Sequence, residues 1–293
     1  MGSGSLSATL AFVLSFRLFG HLTEPRLAGR EIHRVAGEGA RVEAPARGSE
    51  LKVVTWNIQH GKHFDRIVDE LRRLDADLYL LQEVDVFCRR SGNRHVARDL
   101  ADALGMNWVF VGEFQEIGQS AGAGAALTGQ AILSKFPITH ATAVRLRAQA
   151  WARWHLNPVQ PRRGGRLALQ ADVAGVRLYN LHLESGGDEK LRRRQLGEVL
   201  ERDARDRRPS AILAGDLNTG PAFIMPSPAL AAAGFGNALD APAANKSTRP
   251  PRSYPIDRIL VRRLQSDGGR TIHIEGASDH DPVMVTVRTD AQR

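Results

Sequence analysis

LKVVTWNIQHGKHFDRIVDELRRLDADLYLLQEVD, residues 51–85, holds a strand, a helix and a second strand in one unbroken run. LKVVTWNI (51–58) is almost continuously apolar or β-branched, the composition of a strand covered on both faces. From His63 to Leu74, the residues Phe64, Ile67, Val68, Leu71 and Leu74 recur at helical spacing and predict an amphipathic helix. ADLYLLQEV (76–84) is a second buried strand. Strand-helix-strand order of this length implies parallel neighbours joined by a right-handed crossover.

Further along, residues 95–104 predict a second amphipathic helix closed by Gly105, and NWVFVGEF (107–114) a strand. A Gly/Ala-rich loop is expected over 118–129. AILSKFPI (131–138) is strand-like and precedes a long stretch expected to be irregular, which holds Trp151, Arg153, Trp154, His155, Arg162, Arg163 and Arg166. RLALQADV and VRLYNLHLE alternate around Ala174-Gly175 as a hairpin. A charged helix is expected over 188–206 and a strand over AILAGDLNT (211–219). IDRILV, RTIHIE and VMVTV read as short closing strands. Two mixed sheets packed face to face with helices outside satisfy this α/β order.

The chain has 293 residues, 42 % hydrophobic and 25 % charged, which excludes disordered, collagenous and multi-span membrane classes. Cys88 is the only cysteine, so there is no intrachain disulfide, four-cysteine zinc site or CxxC pair, and any metal must rest on oxygen or histidine. The formal charge is +8, and nearly all the cations are arginine. Guanidinium forks match phosphate geometry, which suits a polyanionic partner, although a compositional bias toward arginine gives the same count. Residues 1–50 stand apart as an N-terminal extension, with a Gly/Ser opening and an apolar run from Leu6 to Phe19 interrupted by Arg17. That run is short for a membrane span and lacks the basic start of an export signal. Export or membrane attachment and a cytoplasmic chain are equal expectations, membrane contact being through this extension. Residues 51–290 are assigned to one catalytic domain.

Polar residues recur where buried strands end: Asn57, Glu83, His182, Asp216 with Asn218, Asp257, and Asp279-His280. Singly, each has a structural explanation as a turn residue, a solvated strand end or a bonded histidine. Together they are explained by one site, because loops at strand ends are where a rigid sheet presents polar groups.

In TWNIQHG (55–61), LLQEVD (80–85), AILSKFPI (131–138), YNLHLES (179–185), AGDLNTG (214–220), PIDRIL (255–260) and SDHDPV (278–283), the sequence resembles the endonuclease/exonuclease/phosphatase superfamily. That group contains pancreatic deoxyribonuclease, exonuclease III, neutral sphingomyelinases and inositol polyphosphate 5-phosphatases. The likeness runs from Leu51 to about Val287 in the family's order. It implies a four-layer α/β sandwich, two mixed β-sheets flanked by helices, and divalent-metal phosphoester hydrolysis with Mg²⁺ or Mn²⁺. By the same likeness Glu83 is the principal metal ligand, with Asn57 and Asp279 near metal and phosphate. His280 is the candidate general base, oriented by Asp257. Its imidazole is expected to titrate near the ordinary value of about 6.5. Asp216 orients or deprotonates the attacking water, while Asn218, Asn57 and His182 contact the phosphate.

Three departures stand against the pattern. Gln59 occupies a position that is acidic in exonuclease III-type members, so one principal metal is expected. ALTGQ (126–130) lacks the glutamate that partners the histidine matching His182 in the pancreatic enzyme. Tyr254-Pro255-Ile256 lacks the tryptophan of the 5-phosphatase signature. The expected function is a phosphodiesterase or nuclease acting as a monomer, with nucleic acid slightly favoured over phospholipid as substrate. A phosphatase or sphingomyelinase-like hydrolase is the first alternative, and a non-catalytic binding module on the same fold the second.

Overall fold

Buried apolar runs form the strands and apolar stripes form the helices, in the order α1 (Gly29–Ile32), β1 (Val35–Glu38), β2 (Glu50–Asn57), α2 (Phe64–Leu74), β3 (Leu78–Val86), α3 (Val96–Leu104), β4 (Asn107–Glu116), β5 (Leu127–Ser134), β6 (Ile138–Arg145), β7 (Trp154–His155), β8 (Arg162–Gly164), β9 (Leu167–Val173), β10 (Val176–His182), α4 (Glu189–Arg205), β11 (Ala211–Asp216), α5 (Pro228–Ala233), β12 (Gly236–Asn237), β13 (Asp257–Arg262), β14 (Leu264–Ser266), β15 (Arg270–Thr271) and β16 (Val283–Thr289). The computed structural model describes residues 27–38, 50–122, 124–150, 154–155, 160–220, 222, 226–239, 249 and 254–289. The apolar run Leu6–Phe19, Trp151 and Arg153, and the side chains of Trp154 and His155, lie outside the described residues.

The strands form two mixed sheets. The first has the order β14-β16-β2-β3-β5-β4-β8-β7, with β1 added on β4 and β15 on β16. The second has the order β12-β13-β11-β10-β9-β6. Each contains one parallel pair, β2 with β3 and β10 with β11, and the other pairings are antiparallel. The expected crossover and the hairpin at Ala174-Gly175 are both present.

Alternation along the strands makes the layers. Val53, Leu80, Ile132, Leu169, Leu178, Ile212 and Ile259 meet between the sheets, in a core where every one of them is buried. The opposite faces of the same strands pack on helices: Trp56, Tyr79 and Leu133 against α2 and α3, Tyr179 and Leu213 against α4. Residues one apart in a strand therefore serve different cores, which is the four-layer sandwich the motif pattern implied.

Two expectations about loops are corrected. The stretch after Ile138 was expected to be irregular, yet Ile138–Arg145 forms β6, the edge of the second sheet, with a register shift between Thr139 and Thr142, and the short strands β7 and β8 follow within it. Its alanines and threonines give little hydrophobic contrast, and pairing with β9 decides the conformation. The loop expected over 118–129 is shorter, because β5 begins at Leu127. Gly129 lies in that strand where a Cβ would stand 1.9 Å from the carbonyl oxygen of Val111, so the glycine marks close backbone approach.

Residues 27–38, inside the stretch set apart as an extension, dock on the sheet: β1 pairs antiparallel with β4 and Ile32 is buried. No helix among the described residues is long and apolar enough to cross a membrane.

Candidate active site

Strand register assembles the centre of the site. Rungs of the second sheet place His182 opposite Asp216, and Asp216 opposite Asp257. Three polar groups from β10, β11 and β13 are thus neighbours by backbone pairing alone. Asn57, at the end of β2, reaches across from the first sheet and donates from Nδ2 to Asp216 Oδ2 at 3.2 Å. Asn57, His182, Asp216, Asn218, Asp257 and His280 are all buried.

His280 arrives on the loop before β16, held by its backbone. Its carbonyl accepts from Trp56 Nε1 at 2.7 Å, and its N–H donates to Ser278 Oγ at 3.2 Å. Ser278 Oγ in turn donates to the carbonyl of Asn57 at 2.6 Å. The ring then has one orientation: Nδ1 lies 2.9 Å from Asp257 Oδ2, and Nε2 faces Asp216 Oδ2 at 3.8 Å.

The charges correct the expectation of an unperturbed imidazole. Burial disfavours the His280 cation, but Asp257, with Asp216 and Asp279, outweighs it and raises the pKa to about 9. Burial and the nearby Asp257 charge raise Asp216 to about 6. At neutral pH the resting pair is an ionised Asp216 facing a protonated His280. His182 lies the other way, well below its ordinary value through burial and the charges of Arg166 and His280, so it is a neutral imidazole. Its Nε2 is 3.5 Å from Asp216 Oδ2, and Nδ1 has no hydrogen-bond partner among the described residues. Asp216 is thus the carboxylate beside His182 that ALTGQ does not supply. Gln130 of that stretch bonds Glu113 and the carbonyl of Leu167 instead.

Glu83 is presented by a break in β3. It has φ of 52° and sits at a register shift between Gln82 and Val84 that turns its side chain toward the site. Burial would raise its pKa, but His60, the Asn57 amide, His280 and Arg166 together hold it below the usual carboxylate range. His60, itself at φ 68°, lies between Glu83 (Nε2 to Oε2, 3.2 Å) and Asp85 (Nδ1 to Oδ1, 3.3 Å). Arg90 grips both oxygens of Asp85 at 2.7 and 2.9 Å.

The structure thus brings Asn57, Glu83, His182, Asp216, Asp257 and His280 together. Asn218 supports them from behind: its N–H donates to Asp216 Oδ1 at 2.9 Å and its Nδ2 to the carbonyl of Leu183 at 3.0 Å. Asp279 is at the rim, paired with Arg249 at 3.0 Å.

Two residues were missed by the sequence reading. His60 and Asp85 lie inside quoted motifs, but nothing in a linear pattern says that they meet. Arg166, expected in an irregular stretch, is instead buried, paired with Glu113 at 3.1 Å, and its charge reaches Glu83, Asp216 and His182.

Ligand atoms of Asp216, Asp257 and His280 lie within 4.8 Å of one another, close enough to hold a metal ion. The surroundings fit a hard divalent cation. Asp216 is crowded by Asp257 to the point of a raised pKa, a repulsion that a cation relieves, and the carboxylate of Glu83 lies beside the Asn57 amide that bonds Asp216.

The sequence pattern of the endonuclease/exonuclease/phosphatase family matches residues 54–280. Among solved structures, an endonuclease/exonuclease/phosphatase from Beutenbergia cavernae is similar at 20 % identity and a TM-score of 0.60, over 82 % of this chain and 72 % of that one. A family protein from Bacteroides thetaiotaomicron is similar at 18 % identity and a TM-score of 0.59, over 84 % and 100 %. The 3'-5' exonuclease of Neisseria meningitidis is similar at 19 % identity and a TM-score of 0.57, over 80 % and 98 %. No curated protein matches the sequence. With the motifs in order, the two-sheet fold and this match over most of its length, the chain belongs to the endonuclease/exonuclease/phosphatase family.

Proposed function

We propose that the protein is a divalent-metal-dependent phosphodiesterase acting on nucleic acid. The observation that carries this reading is Asp216 and its surroundings. A buried carboxylate with a pKa near 6 has Asn57, His182, Asp257 and His280 around it. Attack on a phosphodiester needs a proton removed from water and charge neutralised on the phosphoryl oxygens.

Asp216 is basic enough for the first task and stays ionised at neutral pH. The His280 imidazolium, fixed by Asp257, serves the second by donating from Nε2. Neutral His182 adds a hydrogen bond to the phosphate without adding charge, and Asn218 keeps Asp216 in place. Asn57 lies between the first-sheet carboxylate Glu83 and Asp216. Glu83 and Asn57 would hold Mg²⁺ or Mn²⁺, with Asp216 alongside, and the ion supplies Lewis-acid polarisation of the phosphate. Asp279, paired with Arg249, borders this set.

The test is turnover of plasmid DNA, abasic duplex, RNA, bis-(p-nitrophenyl) phosphate, p-nitrophenyl phosphate and sphingomyelin, each with Mg²⁺ or EDTA. Hydrolysis of nucleic acid and the diester with Mg²⁺ and none in EDTA is expected. Asp216→Ala and His280→Ala each lower turnover by roughly 10² to 10⁴ while circular dichroism is unchanged. Cleavage of sphingomyelin alone moves the protein to the phospholipases. Turnover of nothing makes it a binding module.

A further inference from the structure

Beside the active site lies a cleft of about 970 Å³ between residues 27–33 and the segments 145–150 and 163–166. Arg30, Arg145, Arg147, Arg163 and Arg166 line it together with His33, and no aspartate or glutamate is among its described lining residues. Two of these cations already meet carboxylates, Arg147 with Glu201 at 3.1 Å and Arg166 with Glu113 at 3.1 Å, and Arg30, Arg145 and Arg163 make the positive field of the cleft, which favours an anion. Its walls are tied together: Arg145 Nη2 donates to the carbonyl of Gly29 at 3.4 Å, and Gln149 Oε1 accepts from the Arg166 N–H at 2.8 Å. The cleft abuts the catalytic centre at two points. Arg166 belongs to both, and the Ala150 N–H donates to Glu184, two residues beyond His182.

We infer that this cleft binds the phosphates of a nucleic-acid strand next to the scissile one, with Arg145 and Arg163 as the contacting cations. The inference rests on the nucleic-acid reading above and gives it a path. One phosphate needs one or two guanidinium groups, whereas Arg30, Arg145 and Arg163 spread along a single cleft suit a repeating anion. A membrane surface is a poorer occupant. Among the described residues the large exposed hydrophobics are Phe87 and Tyr254, and neither lines the cleft.

The experiment uses the full chain with Arg145→Gln/Arg163→Gln. A charge-matched control, Arg72→Gln/Arg73→Gln, removes two exposed arginines from α2, outside the cleft. Binding of a fluorescein-labelled single-stranded 12-mer is followed by anisotropy in EDTA across a KCl series. At about 50 mM KCl the cleft variant should bind roughly tenfold more weakly, and its log K against log salt slope should be shallower by about 1.4, two contacts at about 0.7 each. The control should keep the wild-type slope, and hydrolysis of bis-(p-nitrophenyl) phosphate with Mg²⁺ should be the same in all three proteins.

Unchanged affinity and slope in the cleft variant overturn the inference, and so does an equal loss in the control. A variant that loses binding to vesicles of anionic phospholipid while retaining the 12-mer also overturns it, in favour of a lipid surface. Failure of the catalytic reading is separate: it appears as absent ester turnover in the wild type, while strand binding is measured without turnover.

Discussion

The decisive residue-scale feature is the direction in which His280 and Asp216 are displaced. In metal-free protein, the His280 ring should titrate near 9 by NMR, and Asp257→Asn should bring it down by more than one unit, because Asp257 is the largest favourable influence on its cation. A group raised above its unfolded value of about 6.5 adds stability that is complete below that pH and is lost as pH rises through about 9. Alkaline destabilisation over that window should therefore be weaker in Asp257→Asn. The pH profile of kcat/KM should be bell-shaped. Its acid limb belongs to Asp216, at or below about 6 because a bound cation lowers a neighbouring carboxylate, and Asp216→Asn should remove it. A rate that climbs steadily through pH 9 would assign His280 to the base role instead. The residue types of this site were legible in the sequence because strand ends in a buried pattern are where polar residues stand out. Their protonation was not, since it depends on Asp257 and Asp216 lying beside His280 from positions far apart in the chain.

At the scale of elements, the parallel pair β10–β11 carries the rung that joins His182 to Asp216. One rung earlier, Gly215 faces Leu181 at φ 144°, and a Cβ there would stand 1.9 Å from the Leu181 carbonyl oxygen. Gly215→Ala combines a clash with backbone strain and should cost about 2–5 kcal/mol, read as a lower midpoint in urea with an unchanged m-value. Turnover of the folded fraction should also fall, because the next rung is the catalytic one. An unaltered midpoint would mean that the two strands are not pressed together there. The Glu83 bulge is the other such device. LLQEVD reads as an uninterrupted strand, and a linear pattern has no mark for a residue at φ 52° until antiparallel β5 imposes the register shift. The β6 edge was illegible for a related reason: Thr and Ala gain strand conformation from a neighbour, not from their own contrast.

For the whole molecule, the sandwich closes a site that neither sheet has alone. Asn57 comes from one sheet and Asp216 from the other, so any loosening of the sheet-to-sheet core separates them. The N-terminal segment adds to this body at β4. Ile32→Ala removes a side chain that is 2 % exposed and should cost about 2–3 kcal/mol of docking. Amide exchange would test it: protection of Val35–Glu38 should drop while β2 and β3 keep theirs. Equal loss across both sheets would make the segment part of the global folding unit.

The sequence by itself determined the layer order, the parallel crossover, the hairpin and the identities of the polar groups, because hydrophobic period and strand-end composition are local properties. Tertiary structure alone decided which groups meet. It set His60 between Glu83 and Asp85, buried Arg166 near Glu83, Asp216 and His182, paired Asp279 with Arg249, and enclosed the arginine cleft between residues 27–33 and 145–166, segments far apart in the chain. Proximity across long loops, and the carboxylate neighbours and burial that shift His280 and Asp216, exist only once the two sheets have packed.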